Sequence, residues 1–353
     1  MTGVRFDGPA CPVPLTDTER VQLGHGSGGK MSARLINEHF VPLLGNEYLA
    51  QQGDGAVLPA GERGELVVST DSFVVSPLEF PGGNIGALAV HGTVNDVAMM
   101  GATPLFITAG FILEEGLPFD VLDRVVATMA AAAKAAGVQM VAGDTKVVER
   151  GKADGMYINT TGIGMRDPSF RPGPERARPG DVILVSGPLA RHGMAIMAVR
   201  EGLSFETTIT SDTACLVPIV AQLRQDVGDH VAALRDPTRG GMASALNEIA
   251  QASKVGMELE ESAIPVPPDA YAACEMLGLD PLYVANEGVL TAIVRPQQAE
   301  AALAAMRKHA VGAEARIVGR VVAEHPGYVV LKTLVGGTRI VDMLPGDQLP
   351  RIC

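Results

Sequence analysis

The stretch STDSFVVSPLEFPGGNIGALAVHGTVNDVAMMGATP, residues 69–104, decides the fold class of this chain. It passes from a β-rich run into a helical run of small apolar residues at positions 84–101. The first half of the chain repeats this alternation, with further β-rich runs at 104–113, 138–148 and 155–165 and a second helical run at 119–137. The order predicts an α/β unit in which helices cover one face of a four-stranded sheet.

A second unit of the same class is predicted further along. The segment RDPSFRPGPERARPGD at residues 166–181 is rich in Pro, Arg and Gly and shows no periodicity, which is typical of a linker. Beyond it the alternation resumes and continues to residue 343. We therefore expect an N-terminal segment with a glycine-rich lid at 1–50, an α/β domain at 51–165, the linker at 166–181, a second α/β domain at 182–343 and a flexible tail at 344–353.

The composition sets limits on the partners and the compartment. The 353 residues are 47% hydrophobic and 19% charged, as in a globular protein, and the formal net charge is -12. An acidic balance disfavours nucleic acid and anionic membrane surfaces as partners. The N-terminus has no apolar stretch of signal-peptide length, and no run of about 18 apolar residues occurs. We expect a cytoplasmic protein that binds neither nucleic acid nor membrane.

Five aspartates stand beside Gly or Thr at strand ends or in helical runs. They are Asp54 in QGDGAVL, Asp71 in VVSTDSF, Asp96 in HGTVNDVAMMG, Asp144 in VAGDTK and Asp236 in LRDPTRGG. A single aspartate in such a place commonly forms a turn or caps a helix. Five together favour a site in which Mg²⁺ joins a few carboxylates to the phosphates of a ligand. Gly240 and Gly241 follow Asp236 at an expected helix start, whose free amides can receive an anion.

Two further charged residues interrupt apolar runs. Lys146 follows Asp144 in GDTKVVE, and Glu287 interrupts LYVANEGVLTAIV, which is the most apolar expected strand of the second half. Exposure at a sheet edge is the commoner explanation for a charge in such a run. If Glu287 is buried instead, its pKa is raised, and a carboxylate with a raised pKa can act as a base near neutrality.

The segment GHGSGGK, residues 24–30, matches two glycine motifs only partly. No convincing strand precedes it, so it does not fit a dinucleotide-binding turn, and Met31 stands where a P-loop needs Ser or Thr. We interpret Gly26, Gly28 and Gly29 as part of a lid that closes over a ligand phosphate, because glycine permits close approach of the backbone. An ordinary surface loop is the alternative.

The four cysteines are Cys11, Cys215, Cys274 and Cys353, and no two of them form a C-x-x-C pair. This spacing indicates neither a structural zinc site nor a disulfide framework. Cys353 is the last residue, whereas a prenylation box places its cysteine four residues from the end. The terminal thiol is therefore either a residue of no consequence on a frayed tail or a functional group.

Several of these segments together resemble one family. LGHGSGGK, the stretch at 69–104, VAGDTKVV, RDPTRGG, ANEG and the terminal PRIC are similar to the hydrogenase maturation factors of the HypE family, within the superfamily of aminoimidazole ribonucleotide synthetase and selenophosphate synthetase. The resemblance runs from about residue 18 to the last residue. It implies a two-domain aminoimidazole ribonucleotide synthetase-like fold of the α/β (α+β) class, in which each domain is a mixed sheet covered by helices. It also implies ATP in the groove between the domains and a homodimer formed through the N-terminal domain.

The family's reaction gives the terminal thiol a role. The resemblance implies that a carbamoyltransferase, HypF, places a carboxamide on Cys353, and that this chain uses ATP to dehydrate the group to a thiocyanate. Cyanide then passes through HypC and HypD to the iron of a nickel-iron hydrogenase. By position in the family pattern, Mg²⁺ and phosphates would be held by Asp54, Asp71, Asp96 and Asp236, and nucleotide would be contacted by Asp144, Gly26, Gly28 and Gly29.

The same pattern assigns the chemical steps. Lys146 would stabilise the transferring phosphoryl group or orient the carboxamide, and Glu287 would be the base. Gly55 departs from the pattern, because relatives commonly show a second aspartate there, and this leaves the number of metal ions open.

Two other functions fit parts of the sequence. A selenophosphate synthetase-like enzyme would share the acids but would carry a reactive Cys or selenocysteine near the N-terminal glycine loop, which has none here. A non-enzymatic carrier, whose thiol is loaded and unloaded by partners, would leave the five aspartates unexplained.

Overall fold

The computed structural model describes residues 29–35, 37, 56–59, 64–202, 209–344, 346, 349 and 351–353. These residues form two large sheets, one in each half of the chain, with helices packed on them. The predicted α/β architecture is therefore confirmed.

The N-terminal half contains one five-stranded sheet and a short hairpin. Its elements are α1 (Lys30–Leu35), β1 (Ala56–Pro59), β2 (Glu65–Phe73), β3 (Glu79–Phe80), β4 (Gly83–Asn84), α2 (Ile85–Met99), β5 (Ala102–Glu114), α3 (Phe119–Ala136), β6 (Gln139–Val148) and β7 (Met156–Arg166). The strand order is β1-β2-β7-β5-β6, and β3 pairs with β4. Only β5 and β6 run parallel; the other neighbours are antiparallel.

The sheet has one strand more than the sequence predicts. The additional strand is β1, whose four residues pair antiparallel with the start of β2, so that Ala56 lies opposite Val68. A strand of this length is too short to show an alternation of apolar and polar residues.

Helix α2 is the central element of the first half. Asn84 caps it, because its side-chain oxygen accepts hydrogen bonds from the amides of Gly86 and Ala87 at 3.0 and 3.2 Å. Every residue of α2 is buried except His91 and Asp96. The helix is apolar on all sides because it contacts the sheet, α3 and, in the second half, α5 and β9.

The edge strand β6 and its neighbour β5 expose apolar side chains. We call this surface the apolar edge; its members are Leu105, Phe106, Ile112, Met140, Val141 and Val147. All residues of β6 except the last are exposed. An exposed edge strand offers unpaired backbone groups to another chain.

The C-terminal half builds a seven-stranded sheet. Its elements are β8 (Val182–Val185), α4 (Arg191–Arg200), α5 (Val217–Asp226), β9 (Val231–Arg235), α6 (Gly241–Ser253), β10 (Gly256–Glu260), α7 (Pro268–Leu277), β11 (Thr291–Val294), α8 (Ala299–Met306), β12 (Arg316–Val322), β13 (Val329–Lys332) and β14 (Thr338–Val341). The strand order is β14-β13-β10-β12-β8-β11-β9, and only β10 and β13 run parallel. Helix α6 packs on one face, and α5 and α8 pack on the other.

The expected strand at residues 282–294 is wrong over most of its length. Only Thr291–Val294 forms a strand, whereas residues 281–283 make a 3₁₀ turn and residues 284–290 form a loop. The loop is apolar because all of residues 284–290 are buried, and burial without β structure produces the same composition. Glu287 therefore lies in a buried loop and not at a sheet edge.

Among the described residues, no helix combines the length and the hydropathy that crossing a membrane would require.

Candidate active site

The C-terminal segment is docked against the first domain. The amide of Val74 donates to a main-chain oxygen of Cys353 at 3.0 Å, and the amide of Ser76 donates to the carbonyl oxygen of Arg351 at 3.4 Å. Ile352, with 2% of its surface exposed, and Leu349 join the apolar cluster that also contains residues of α2, α3, α4 and α7. This docking holds the last residue beside the end of β2.

Polar side chains add to this attachment. Arg351 donates from Nε to the carbonyl oxygen of Val74 at 3.1 Å, forms an ion pair with Asp154, and places its guanidinium 5.8 Å from the ring centroid of Tyr157. Arg200 donates to the carbonyl oxygen of Arg351 from the last turn of α4. The tail is thus held by both halves of the chain.

His192 is the most enclosed of the groups that contact the tail. It lies in the first turn of α4 and is fully buried. Its Nε2 is 2.7 Å from the carbonyl oxygen of Ile352, and its Nδ1 is 2.8 Å from Oγ of Ser211. Burial, the largest influence, lowers the pKa of His192 to about 4, so the ring is neutral at neutral pH.

Arg239 lies within electrostatic reach of Cys353 and of several of the predicted acids. The negative charge at Cys353 raises its pKa most, and the charges of Asp71, Glu287 and Asp96 raise it further. Because such effects fall off with distance, these groups lie within electrostatic reach of one guanidinium. Arg239 therefore lies within reach of Cys353, of Glu287 and of two acids from the first domain.

The three aspartates of the site lie on different elements: one in a strand, one in a helix and one directly after a strand. Asp71 lies in β2 on the α2 side, since a methyl added to Gly92 of α2 would come 3.8 Å from Oδ2 of Asp71. Asp96 projects from α2 and accepts a hydrogen bond from Oγ of Ser69 at 2.7 Å. Asp236 is buried directly after β9.

The helix start predicted after Asp236 is present. Gly240 precedes α6 with φ 75° and Gly241 begins it with φ 60°, both in the left-handed region that glycine tolerates. A methyl group on Gly241 would meet the carbonyl oxygen of Leu282 at 2.5 Å. The glycines thus let the turn approach the loop that carries Glu287.

Glu287 is the most strongly perturbed carboxyl group of the site. Only 3% of it is exposed, and among the residues that the structure describes its Oε1 has no hydrogen-bond partner. Burial raises its pKa well above the ordinary value, the charges of Asp236, Asp71 and Asp212 add to this, and the Arg239 guanidinium opposes it. A carboxylate in these surroundings is a stronger base than one in water.

Asp71 shows the same perturbation in a milder form. Its burial raises the pKa, while the positive charge of Arg239 and a hydrogen bond from the amide of Ser72 lower it. A further cation beside Asp71 and Asp96 would favour their ionised forms.

Asp212 belongs to the site, although the sequence analysis does not single it out. Its Oδ2 accepts the amides of Glu287 at 3.1 Å and Gly288 at 3.0 Å, and burial, the largest influence, raises its pKa to about 6. A methyl on Gly288 would lie 1.8 Å from the carbonyl oxygen of Asp212. The glycine after Glu287 is the sequence signal for this close contact.

His192 and Arg239 were also missed. Arg239 stands in the quoted RDPTRGG segment, so its position beside an expected anion site was a usable signal. His192 follows the apolar run of β8 without any ligand spacing, and nothing in the sequence connects it with residue 352.

Asp144 and Lys146 lie elsewhere on the first domain. Both are exposed on β6, and Nζ of Lys146 is 2.6 Å from Oδ2 of Asp144. Three strand spacings separate β6 from β2, which is roughly 14 Å. Lys146 also pairs with the exposed Ile112, so it lies on the sheet face away from α2, whereas Asp71 lies on the α2 side.

Some predicted residues fall outside the described part of the chain. These are Asp54, Gly26 and Gly28. Gly29 is buried just before α1, where its carbonyl oxygen accepts the amide of Ala33 at 3.0 Å, and the amide of Lys30 donates to the carbonyl oxygen of Leu344 at 2.8 Å. The end of the glycine-rich segment thus contacts the base of the tail.

The described acids do not form a closed metal cage. Within the described ranges no group of three or more His, Cys, Asp or Glu side chains is arranged to hold a metal ion. Carboxylates are nevertheless the ligand type that Mg²⁺ prefers, and Mg²⁺ is usually bound by one or two of them together with phosphates and water. Asp71, Asp96 and Asp236 suit an ion that is shared with a phosphate ligand.

Comparison with known proteins assigns both halves of the chain. The family model described as the N-terminal domain of AIR synthase related proteins matches residues 52–166, and the C-terminal domain model matches residues 178–332. The chain is 55% identical to the carbamoyl dehydratase HypE of Cupriavidus necator over 336 residues, which are 95% of each protein.

Solved structures agree with this assignment. A crystal structure of the hydrogenase maturation protein HypE in complex with ATP is 50% identical, with a TM-score of 0.80, and the match covers 93% of this chain and 98% of that one. HypE in a crystal structure of a HypE–HypF complex is 46% identical, with a TM-score of 0.83 and coverage of 88% and 99%. Two family models, high identity over nearly the whole length and a shared fold lead to one conclusion: the chain belongs to the AIR synthase related proteins and, within them, to the HypE family of carbamoyl dehydratases.

Proposed function

We propose that this protein is the ATP-dependent enzyme that dehydrates an S-carboxamide on its own Cys353 to an S-thiocyanate, which supplies cyanide ligands for the iron of a nickel-iron hydrogenase. The observation that carries the proposal is the docked C-terminus, which holds Cys353 within electrostatic reach of Arg239, a guanidinium that the buried Glu287 also influences. A residue of no consequence on a frayed end would not be fixed by hydrogen bonds from both domains.

The reaction has two steps. The carboxamide oxygen attacks the γ-phosphorus of ATP, ADP leaves, and one N–H proton is lost. In the second step the C–O bond breaks, phosphate leaves and the second N–H proton is lost to a base. The product is a C≡N group on sulfur. Phosphorylation is required because an amide oxygen is a poor leaving group, and each proton loss is assisted by a positioned base.

Glu287 is the group best suited to accept these protons. Burial raises the pKa of Glu287, which makes its carboxylate more basic, and the Arg239 guanidinium opposes this rise. Oε1 has no partner among the described residues and is available to an N–H group of the substrate. We propose that the guanidinium of Arg239, which lies within reach of Cys353 and Glu287, offsets the negative charge that accumulates on the transferring phosphoryl group.

We assign Mg²⁺ to Asp54, Asp71, Asp96 and Asp236. The carboxylate set fits a hard cation, and a cation would oppose the burial that raises the pKa of Asp71. When bound, Mg²⁺ would offset the negative charge of the nucleotide phosphates. Gly26, Gly28 and Gly29 are proposed to cover these phosphates.

The homodimer is proposed to form through the apolar edge. Its exposed side chains lie on the edge strand β6 and its neighbour β5, and together they form a surface that a second copy can cover. Asp144 and Lys146 lie on this strand, roughly 14 Å across the sheet from Asp71 of the same copy. We therefore propose that these two residues serve the site of the second copy, where Asp144 contacts nucleotide and Lys146 the reacting group.

The partners follow from the carrier role of the tail. The carboxamide is proposed to come from a HypF carbamoyltransferase, and the cyanide to leave to a HypC–HypD complex, in the cytoplasm. Loading requires the tail to leave its dock, so the segment 344–353 is proposed to alternate between an outward and the described inward position.

The mass of the C-terminal peptide tests the function directly. After incubation with the carbamoyltransferase, carbamoyl phosphate, ATP and Mg²⁺, we expect Cys353 to carry a thiocyanate, which is lighter than the carboxamide by one water. Omission of Mg²⁺ or ATP should leave the carboxamide. A chain that loads and unloads the carboxamide without consuming ATP would be the non-enzymatic carrier instead.

Substitution of the acids tests the metal assignment. Asp71→Asn and Asp236→Asn keep the size of the side chain and remove a charge that the metal needs, so we expect ATP turnover to fall at least about 100-fold while the fold persists. Asp226→Asn is the matched control, because Asp226 pairs with Lys308 on the surface. Full ATPase activity in either site variant would refute the assignment.

A further inference from the structure

The peptide that precedes the terminal thiol is held by one buried side chain. His192 has no exposed surface, and its Nε2 lies 2.7 Å from the carbonyl oxygen of Ile352. The ring packs edge-on to Phe80, with centroids 5.5 Å apart and an interplanar angle of 87°. These contacts hold the imidazole in one orientation.

The hydrogen-bond partners fix the tautomer. A carbonyl oxygen only accepts, so Nε2 of His192 carries the proton and donates to Ile352. The neutral ring then accepts at Nδ1 from the hydroxyl of Ser211, and Oγ of Ser211 in turn accepts the amide of Thr213 at 3.1 Å. The lowered pKa agrees with a neutral ring, so His192 presents one donor to the tail.

This donor acts together with the first domain. A main-chain oxygen of Cys353 accepts a hydrogen bond from the amide of Val74 at 3.0 Å, so the main-chain oxygens of two consecutive residues are held from different domains. With both oxygens held, the backbone at Cys353 keeps little rotational freedom, so its Cα–Cβ bond has a defined direction.

The segments around His192 also hold the loop of the proposed base. The amide of Ala190, two residues before His192, donates to Oδ1 of Asn286 at 2.7 Å. Asp212, next to Ser211, accepts the amide of Glu287 at 3.1 Å. The contacts that hold the tail and those that hold Glu287 therefore share one framework.

We propose that His192 is a positioning residue for the dehydration step: it seats the tail by donating to the Ile352 carbonyl and so directs the modified Cys353 toward Glu287. It does not touch the reacting atoms. When the tail leaves, the Nε2–H remains in a buried site without this partner, which is unfavourable, so His192 favours the docked position. The inference rests on the proposed function only in naming dehydration as the step that is affected. The docking of the tail by His192 does not depend on the proposed function.

Two amide variants distinguish the loss of the hydrogen bond to Ile352 from a general loss of structure. His192→Gln can place its Nε2 donor near that of histidine, whereas His192→Asn is shorter and reaches only toward Ser211. Both are tested in a background in which Cys11, Cys215 and Cys274 are alanine. We expect iodoacetamide to alkylate Cys353 on the order of tenfold faster in His192→Asn than in the parent, because one hydrogen bond that favours docking is lost, and little faster in His192→Gln.

The same variants are then followed through both reactions of the tail. In His192→Asn we expect the rate from carboxamide to thiocyanate to fall about tenfold, while carbamoylation by the partner enzyme is unchanged or faster. His192→Gln should restore dehydration, and the Tm should not separate the two variants. Equal losses of dehydration, carbamoylation and Tm in both variants would show a merely structural histidine and overturn the proposal.

Unchanged alkylation in His192→Asn would also overturn it. If the parent itself forms no thiocyanate, the proposed function fails, but the alkylation rates still decide whether His192 holds the tail.

Discussion

Glu287 and Asp212 are linked through the backbone. Asp212 accepts the amides of Glu287 and Gly288, which fixes the loop, and its negative charge also contributes to the raised pKa of Glu287. Asp212 therefore has two effects on the proposed base, one on its position and one on its proton affinity. The two effects can be separated by substitutions that keep the geometry and change the charge.

Glu287→Gln removes the base and keeps the size of the side chain. We expect the variant to accept a carboxamide on Cys353, because that step belongs to the partner enzyme, but to form thiocyanate 100-fold or more slowly, as is typical when a positioned base is lost. Mass spectrometry of the tail should show carboxamide or its phosphorylated form. Glu248→Gln, which changes a partly exposed carboxylate that pairs with Arg235, is the control. Normal thiocyanate formation in Glu287→Gln would exclude the role.

Asp212→Asn should change how stability depends on pH. The folded pKa of Asp212 is about 6, against an ordinary value of 3.8, so the folded state binds its proton more tightly than the unfolded chain does. Asp212 therefore makes its full favourable contribution to the free energy of unfolding when the pH is below 3.8, and this contribution is lost as the pH rises through about 6. The asparagine variant lacks this loss. We expect the free energy of unfolding of the variant, relative to the parent, to rise by on the order of 2 kcal/mol between about pH 4 and pH 7.

Urea denaturation at both pH values measures this difference. A constant difference between variant and parent would mean that Asp212 titrates at its ordinary pKa, and the account of a buried, raised carboxyl group would then be wrong.

At the scale of the elements, α2 shows what an apolar pattern can predict. A long run of small apolar residues after a strand identified the helix, and the burial of all but two of its residues explains why the run has no polar face. The run at 282–294 was equally apolar but is mostly a buried loop. The apolar composition of a run indicates that it is buried. Whether the run forms a strand, a helix or a loop depends on its length and on its tertiary surroundings.

At Gly86, helices α2 and α3 approach each other so closely that a larger side chain does not fit. A methyl group at this position would lie 2.3 Å from the carbonyl oxygen of Val125, so Gly86→Ala requires the two helices to separate. Helix propensity alone would make this change stabilising by about 1 kcal/mol. We expect the opposite sign, a loss of about 1–3 kcal/mol in the free energy of unfolding, because overpacking a dense core is costly. A stabilised variant in urea denaturation would show that the interface adjusts freely.

At the scale of the whole molecule, the candidate acids could be predicted from the sequence more readily than their arrangement in space. Asp71, Asp96, Asp236 and Glu287 stand in recognisable segments, and the structure brings them together. His192 and Asp212 could not be found in this way, because their partners, residues 352 and 287, are distant in sequence and the contacts depend on the packing of two domains. Lys146 was predicted for the same site, yet within one copy it lies on another face of the sheet.

This placement makes the proposed dimer testable by mixing two inactive chains. If Lys146 serves the site of the other copy, a dimer of one Lys146→Ala chain and one Glu287→Gln chain contains one intact site, formed by Glu287 and Cys353 of the first chain and Lys146 of the second. If all three residues act within one chain, both sites of the mixed dimer are damaged. Random pairing would thus restore about a quarter of all sites in the first case and none in the second.

The two chains are co-expressed with different tags, purified as the mixed dimer and supplied with carbamoyl phosphate, the carbamoyltransferase, ATP and Mg²⁺. Intact mass distinguishes the chains, and we expect thiocyanate only on the Lys146→Ala chain, because its own Glu287 and Cys353 are intact while the lysine comes from its partner. Each variant alone should keep its carboxamide. Val141→Lys, which places a charge in the apolar edge, should reduce both the dimer fraction and the activity, since a buried unpaired charge is costly. Carboxamide on both chains of the mixed dimer would show that Lys146 does not act across the interface.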